Sequence, residues 1–418
     1  MIRASLVLDE ISEVATLARG AIPRRGLAMS ELGLLHDATL GIDAGRFVFV
    51  GSKQQAKRHL RLRPGGSVRS LAGRVVVPGF VDAHTHVLFA GDRSNEVTDK
   101  VHGASYLDIA RGGGGLFSTV RATRRANDSQ LRAASAARLH RMLRNGTTTA
   151  EVKSGYALNR AGELRLLSLV PVLAREVGIR LIPTFLGAHA VPPEHARAPD
   201  EYVDEVVRTM LPAVAQNHLA RFCDVFCEPG FFSPAQSERI LRAGSAVGLI
   251  PKIHADEFHP SGGARIAARV GARSADHLLT TPSRDRRLLA ASKTVGVLLP
   301  VTPFASLGAQ ESPGRALVDA GVPVALGSDC SPNSWVESMS TVMAHAVYGA
   351  RLTPAEALTA ATVNAAAAIA AEDVAGTIGV GRPADFVVFD LPRVEHLGYR
   401  VDVVPVDVYR QGKRVSSR

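Results

Sequence analysis

The stretch 75–86, VVVPGFVDAHTH, contains a short apolar run, 80–86, that ends on two histidines. Successive side chains of a β-strand alternate between its faces, so His84 and His86 point the same way and can bind one metal ion from neighbouring directions. Alone, such a pair is a weak signal of a metal site. Further ligands must come from elsewhere in the chain.

Seven more apolar runs of strand length follow, at 147–153, 180–187, 222–227, 249–254, 274–278, 294–300 and 323–328. Helix-like stretches separate them, among them 131–144, 162–177, 200–219 and 234–246. Strands that alternate with helices are typical of a parallel sheet, and eight such strands close a barrel. We therefore predict an α/β fold with a (β/α)8 TIM barrel over 76–373.

The two ends of the chain resemble each other in pattern. Segments 38–51, 376–390 and 401–415 each contain short β-rich runs around a glycine-containing turn. An isolated hairpin is only marginally stable in water, so these strands need partners. We predict that 1–75 and 374–418 pair into one small β-sandwich domain.

Composition narrows the range of partners. Lysine and arginine exceed aspartate and glutamate by 49 to 39, but no aromatic residues interleave with the basic runs as base stacking would require. No run of 18 apolar residues occurs, and Asp9, Glu10 and Glu13 interrupt the region where a signal peptide would be apolar. The three cysteines form no CxxC pair. We expect a cytoplasmic protein that binds neither nucleic acid nor membrane.

Metal-binding side chains follow three later strands of the predicted barrel, namely His254, His277 and Asp329. Active sites of such barrels lie where the strands end, so these groups should meet His84 and His86. Imidazole and carboxylate ligands suit zinc or iron(II), and the absence of nearby thiolates argues against a closed structural zinc site. We predict one divalent metal, zinc or iron.

This set of residues predicts hydrolysis at an amide-like carbon. A bound Zn²⁺ can lower the pKa of water from about 15.7 to ~7. Asp329, beside the metal, could accept the proton of that water, and Glu257, three residues after His254, could pass a proton to a substrate nitrogen.

The motifs resemble those of the amidohydrolase superfamily, and in finer detail those of the imidazolonepropionases. The resemblance covers nearly the whole chain and rests on VVVPGFVDAHTH, HTHVLFAGDRSNE (84–96), GGGGLFSTVRATR (112–124), TTTAEVKSGYAL (147–158), TFLGAHAVPPE (184–194), FCEPGFFS (226–233), KIHADEF (252–258), SADHL (274–278), LGSDC (326–330) and the GxGRPADFVVFD tail. It implies hydrolysis of 4-imidazolone-5-propanoate to N-formimino-L-glutamate in histidine degradation, with zinc or iron, by a homodimer.

The resemblance also assigns roles to individual residues. It implies that the metal is held by His84, His86, His254 and Asp329. It implies that the substrate, a small anionic heterocycle, is contacted by Arg93, Tyr156, His189 and Glu257, and that His277 helps to activate the water. Whether Asp329 or His277 takes the first proton stays open.

The sequence departs from the family after Asp329. The family usually continues Cys-Asn-Pro-Gly-Ser, whereas this chain has Cys-Ser-Pro-Asn-Ser at 330–334. The family uses this turn around the propionate end of the substrate, so we expect Ser331, Asn333 and Ser334 to line that end. The exchanged polar groups either preserve binding or shift the preference to a related compound.

The sequence leaves three alternatives to this function. An aromatic or heterocyclic deaminase, or another cyclic amidohydrolase of the superfamily, would also use His254 and Glu257. A dinuclear hydrolase is less favoured, because the fourth strand lacks the usual bridging lysine and offers only Glu228. A non-catalytic interaction protein would typically have lost metal ligands. Arg93 and Lys153 favour an anionic substrate, and so favour the ring-opening hydrolase over the deaminase.

Overall fold

The computed structural model describes residues 1–104, 108–109, 112–308 and 310–417, and their strands form two sheets of eight strands each. One is a parallel barrel in the middle of the chain, and the other combines strands from both chain ends. Within the described residues, no helix is both long and apolar enough to cross a membrane.

The chain begins with five strands of the second sheet: β1 (Ile2–Ala15), β2 (Leu34–Asp43), β3 (Arg46–Ser52), β4 (Leu60–Ser70) and β5 (Val75–Pro78). The helix Lys53–His59 lies between β3 and β4 and begins with a capping box of Ser52 and Gln55. The long strand β1 is central, because it pairs with β2 in antiparallel and with β4 and β5 in parallel orientation.

The barrel consists of β6 (Phe80–Asp82), β7 (Thr147–Lys153), β8 (Arg180–Ala188), β9 (Phe222–Cys227), β10 (Ile250–Ala255), β11 (Ser274–His277), β12 (Val295–Leu298) and β13 (Val324–Leu326). Each strand pairs in parallel with the next. Beyond β6 and β13 the two chain segments continue side by side, and Thr85 and Cys330 form a parallel bridge that closes the barrel.

Helices connect the barrel strands and cover them. Their bounds are Glu96–Val101, Gly115–Arg125 and Asp128–Arg144 before β7, Arg160–Val177 before β8, Pro199–Glu205 and Leu211–Gln216 before β9, Pro234–Ala246 before β10, Gly263–Val270 before β11, Ser283–Ala291 before β12, Val301–Ala305 and Gly314–Asp319 before β13, and Met339–Tyr348, Pro354–Ala360 and Val363–Ala368 after it. A π-helical turn, Val206–Met210, joins the two helices before β9, where the sequence predicts one helix. Single 3-10 turns lie at Gly26–Ser30 and Pro193–His195.

The chain then returns to the second sheet through β14 (Phe386–Phe389), the short helical turn His396–Tyr399, β15 (Asp407–Arg410) and β16 (Lys413–Ser417). Strand β14 pairs in antiparallel orientation with β5, so the two chain ends share one sheet. The predicted fold, a barrel with a small β domain from both ends, is confirmed. The domain boundaries at 75 and 374 stay predictions, and β5 crosses the first of them.

The small sheet has two different apolar faces. One face forms a core of its own, in which Leu8, Leu40, Phe47 and Phe386 are buried together. The other face carries side chains that belong to the main core around the barrel, among them Val75, Val77, Val387 and Phe389. The sheet therefore both folds around its own core and packs against the barrel.

Gly79 joins β5 to β6, and no larger residue fits there. A Cβ atom at this position would lie 2.2 Å from Oγ1 and 2.5 Å from Cγ2 of the buried Thr148 in β7. We expect Gly79→Ala to lower the free energy of unfolding by about 1–3 kcal/mol, the usual cost of overpacking, in urea denaturation. Gly379→Ala is the control, because its Cβ would approach no atom closer than 3.6 Å. Equal stability of the two variants would contradict the packing argument.

Candidate active site

A cavity opens at the carboxyl ends of the barrel strands, with about 480 Å³ of space between its walls and at its mouth. Ten of the twelve residues predicted for the site line it: His86, Arg93, Tyr156, His189, His254, Glu257, His277, Asp329, Ser331 and Asn333. Leu116, Phe226 and Phe258 complete the lining. Of the other two, His84 lies fully buried against His86, and Ser334 is buried behind Ser331. The size suits a small molecule.

Four potential metal ligands converge beneath this cavity. Nε2 of His86 lies 3.1 Å from Nε2 of His84 and 3.4 Å from Nε2 of His254. Oδ1 of Asp329 lies 3.7 Å from His84 Nε2 and 3.5 Å from His86 Nε2. Two nitrogens bound to one tetrahedral zinc at about 2.05 Å would be separated by about 3.4 Å. The spacing therefore matches ligands of a single ion.

Hydrogen bonds on the far side of two rings orient these ligands. Nδ1 of His84 lies 2.6 Å from Oδ2 of Asp276, and Nδ1 of His254 lies 3.2 Å from Oδ1 of Asp224. A carboxylate accepts a proton-bearing Nδ1, which leaves the lone pair of Nε2 directed into the cluster. Burial also lowers the pKa of His84 and His86 well below the usual range, so both rings are neutral at pH 7. Converging lone pairs suit a divalent cation.

His277 provides an alternative ligand. The nitrogens of His84, His254 and His277 form a second group close enough to share an ion, besides the group of His84, His86 and Asp329. Both groups contain His84, so the five residues predicted to lie at the metal are gathered around His84. The sequence prediction that these residues meet is thus realised in the geometry.

Beneath the ligands lies a cluster of buried charges that the sequence reasoning missed in large part. Nζ of Lys153 lies 2.7 Å from both Glu151 and Asp224, and Nζ of Lys252 lies 3.6 Å from Glu151 and 3.7 Å from Asp276. All five side chains are fully buried. The available signal was a charged residue inside each of four buried strands, as in FCDVFC at 222–227.

The interpretation of Lys153 as a contact for an anionic substrate is wrong. Its ammonium group lies among the carboxylates of the barrel interior and does not line the cavity. Burial alone would lower the pKa of Lys153, but the carboxylates of Asp224 and Glu151 raise it. Burial alone would raise the pKa of Asp224, but His254 and Lys153 hold it well below its usual range. Lys153 therefore keeps the partner of His254 ionised.

Glu257 and Asp329 differ in their surroundings. Burial, reinforced by Asp329 and Glu228, raises the pKa of Glu257 well above the usual range, which favours the protonated form of this carboxyl group. Burial raises the pKa of Asp329 only to about 6, because Thr302 Oγ1 donates to its Oδ2 at 2.8 Å. The two groups are thus suited to opposite roles, proton donor and proton acceptor.

His277 lies close both to Glu257 and to the histidines of the ligand cluster. Its Nε2 is 3.6 Å from Oε2 of Glu257, and its ring packs edge-on to that of His84. Both His277 and Asp329 have positive φ angles, 73° and 52°. Such backbone conformations are unfavourable for residues with side chains and concentrate at functional sites.

The opposite wall of the cavity carries the residues expected to contact substrate. The guanidinium of Arg93 is held by Glu96, with Nε at 2.8 Å from Oε2, and Oε1 of Glu96 accepts from the Gly115 N–H at 2.7 Å. Nδ1 of His189 lies 3.0 Å from the Gly155 carbonyl oxygen, and burial lowers the pKa of His189 to about 3. Nε2 of this neutral ring is therefore available as an acceptor.

Tyr156 and the 331–334 turn complete this wall. The Tyr156 ring packs beside those of His86 and His189, at 5.8 Å and 5.3 Å between ring centroids. In the turn, Ser331 Oγ accepts from the Ser334 N–H at 3.2 Å. Ser334 itself does not reach the cavity lining, because Ser331 lies between.

Glu228 does not extend toward the ligand cluster. Its Oε2 accepts from the backbone N–H of Glu257 at 3.2 Å, and its Oε1 lies 2.9 Å from Nδ1 of His259. Both oxygens therefore stabilise the loop after β10. In this arrangement Glu228 does not bridge to a second metal.

Comparison with known proteins identifies the family. The sequence profile of the amidohydrolase family matches residues 109–416. An imidazolonepropionase of Herpetosiphon aurantiacus is 43% identical over 419 residues, covering 98% of this chain and 97% of that protein. This chain belongs to the imidazolonepropionase family. An imidazolonepropionase of Geobacillus kaustophilus is likewise 43% identical, over 413 residues and with coverage of 98% and 97%.

A solved structure shows the same fold at lower identity. A zinc-bound adenosine deaminase of Xanthomonas campestris has a TM-score of 0.72 to this chain, with 20% identity and coverage of 99% of this chain and 93% of that one. At this identity the likeness concerns the fold alone. The family membership, the fold and the histidine-rich cluster together support a divalent metal.

The carboxylate behind His254 provides a test of the cluster. Asp224→Asn keeps the size of the side chain but weakens the hydrogen bond to Nδ1. We expect the affinity for Zn²⁺ to fall about 10- to 100-fold in competition with a chromogenic chelator, because such outer partners orient metal-binding histidines. Asp285→Asn is the control, since Asp285 is equally buried but pairs with Arg265, outside the cavity. An unchanged affinity in Asp224→Asn would contradict the assignment.

Proposed function

We propose that this protein is a metal-dependent hydrolase that opens the ring of 4-imidazolone-5-propanoate with water to form N-formimino-L-glutamate, in histidine degradation. Relatives named imidazolonepropionase at 43% identity over nearly the full chain carry this proposal. The cavity supports it, because potential metal ligands, a carboxyl group with a raised pKa and a buried arginine line one small space.

The proposed metal ligands are His84, His86, His254 and Asp329. Imidazole and carboxylate donors suit zinc or iron(II), and the choice between the two is left to metal analysis. When bound, such a metal lowers the pKa of a coordinated water to about 7, as hydrolysis at neutral pH requires.

The side chains around this point divide the proton transfers. One of two residues, Asp329 or His277, is proposed to accept the proton of the attacking water, since both belong to the ligand cluster. Glu257, whose raised pKa favours the protonated form, donates to the ring nitrogen whose bond to carbon breaks. The breaking bond therefore releases a neutral nitrogen, which is a better leaving group than an amide anion.

The remaining residues are proposed to hold the substrate. Arg93 offers a guanidinium that can bind the propionate carboxylate with two parallel hydrogen bonds. Tyr156 and His189 form the wall beside the ring, and Ser331 and Asn333 lie at the propionate end, with Ser334 supporting Ser331. A homodimer stays a prediction from the resemblance, and a cytoplasmic location stays a prediction from the sequence.

Product identity and metal removal test the reaction. We expect the wild-type enzyme to consume imidazolone propionate with loss of its ultraviolet absorbance and formation of formiminoglutamate, without free ammonia. Removal of the metal with a chelator should abolish turnover, as should His254→Ala, and added zinc or iron should restore only the wild-type enzyme. Release of ammonia would instead indicate a deaminase, and less than a tenth of an equivalent of metal with no gain on metal addition would contradict the proposal.

Substitutions at the two ends of the cavity should separate binding from chemistry. Glu257→Gln cannot deliver a proton, so we expect kcat to fall about 10²- to 10⁴-fold with KM little changed. Arg93→Ala removes the carboxylate contact, so KM should rise while kcat stays within a few-fold. Steady-state kinetics measures both, and an unchanged KM in Arg93→Ala would remove Arg93 from the substrate site.

A further inference from the structure

The short helix Glu96–Val101 lies at the mouth of the cavity and carries two polar side chains one turn apart. Glu96 and Lys100 are separated by four residues, so they lie on the same face of the helix. Glu96 binds Arg93, as described above, whereas Nζ of Lys100 donates to Oδ1 of Asn333 at 2.9 Å. One helix thus contacts both Arg93 and Asn333, two residues of the proposed carboxylate-binding end.

Asn333 is held from two directions. Besides accepting from Lys100, its Nδ2 donates to Ser306 Oγ at 3.1 Å. Nζ of Lys100 also lies 3.4 Å from the carbonyl oxygen of Ala305. These bonds connect the loops that follow β6, β12 and β13. The amide of Asn333 therefore has both its ends engaged away from the reacting centre, which restrains the 331–334 turn.

The charge on Lys100 does not explain these contacts by itself. Its two hydrogen-bond acceptors in the described part of the chain are neutral oxygens, the amide of Asn333 and the carbonyl of Ala305. The side chain is half-buried, and holding it in one geometry costs conformational entropy. The hydrogen bond from Lys100 therefore holds the side chain of Asn333 in place.

We propose that Lys100 is a positioning residue for substrate binding, which acts through Asn333 to hold the 331–334 turn in place beside Arg93 in the cavity lining. This inference rests on the proposed function, since it concerns the propionate end of that substrate. A carboxylate binds well only when the groups that contact it are held in position before binding. The Lys100–Asn333 bond holds the turn, as the Glu96 carboxylate holds the guanidinium of Arg93.

A double-mutant cycle on Lys100 and Asn333 tests this. We expect Lys100→Met to raise KM about tenfold, the equivalent of one such hydrogen bond, with kcat within about twofold of wild type. Asn333→Gly should raise KM similarly, and the double variant should be no worse than the worse single variant, because both remove the same bond. Multiplying KM effects would show that Lys100 acts directly by its charge and would overturn the proposal.

Two further variants serve as controls for the effect of Lys100→Met on KM. Lys100→Arg keeps a donor at the same place and should retain KM within about threefold even if Lys100→Met folds poorly. Lys57→Met removes an exposed lysine on the small β domain and should leave KM and kcat unchanged. Wild-type turnover in the same assay measures the proposed function separately. If wild type turns over and Lys100→Met has an unchanged KM, only the role of Lys100 is rejected.

Discussion

The seam that closes the barrel is the contact on which the active site depends. Past β6 and β13, the Asp329 N–H donates to the His84 carbonyl at 3.0 Å, and the His86 N–H donates to the Cys330 carbonyl at 3.0 Å. These bonds place the carboxylate of the last strand beside the histidines of the first. Gly327 makes the approach possible, since a Cβ there would lie 2.7 Å from that of His84. Without this closure the ligands would not share a point.

Beneath the seam, the barrel interior holds charge where a stability argument would place only apolar side chains. Burying ions costs several kcal/mol each, and their mutual attraction offsets that cost only when the geometry is good. Here the carboxylates of Asp224 and Asp276 face histidine nitrogens on one side and lysine ammonium groups on the other. We infer that this cluster specifies ring orientation and contributes little net stability. The mouth of the cavity is built differently, from loop contacts such as Arg93–Glu96.

Strand positions were largely predictable from the sequence. β7 and β9 begin and end at the predicted residues, because both are fully buried strands, rich in β-branched or aromatic residues and followed by loops. β1 was not predicted, although it is the central strand of the small sheet. Of the predicted segment 376–390, only Phe386–Phe389 is a strand, because these residues pair continuously with β5 and β15, whereas Pro383 forms only an isolated bridge to Arg46. Pairing over hundreds of residues leaves no local signal.

The sequence by itself determined the barrel and the residues at its strand ends, because hydrophobic periodicity and the type of side chain after each strand are local properties. It also determined that His84 and His86 share a face, since that follows from strand alternation. Only the tertiary structure decided what each side chain faces. Lys153 lies at the end of its strand, as His254 does near the end of β10, yet it turns inward to Asp224. Lys100 reaches Asn333 from the helix Glu96–Val101. Such partners depend on distances that exist only once the barrel closes.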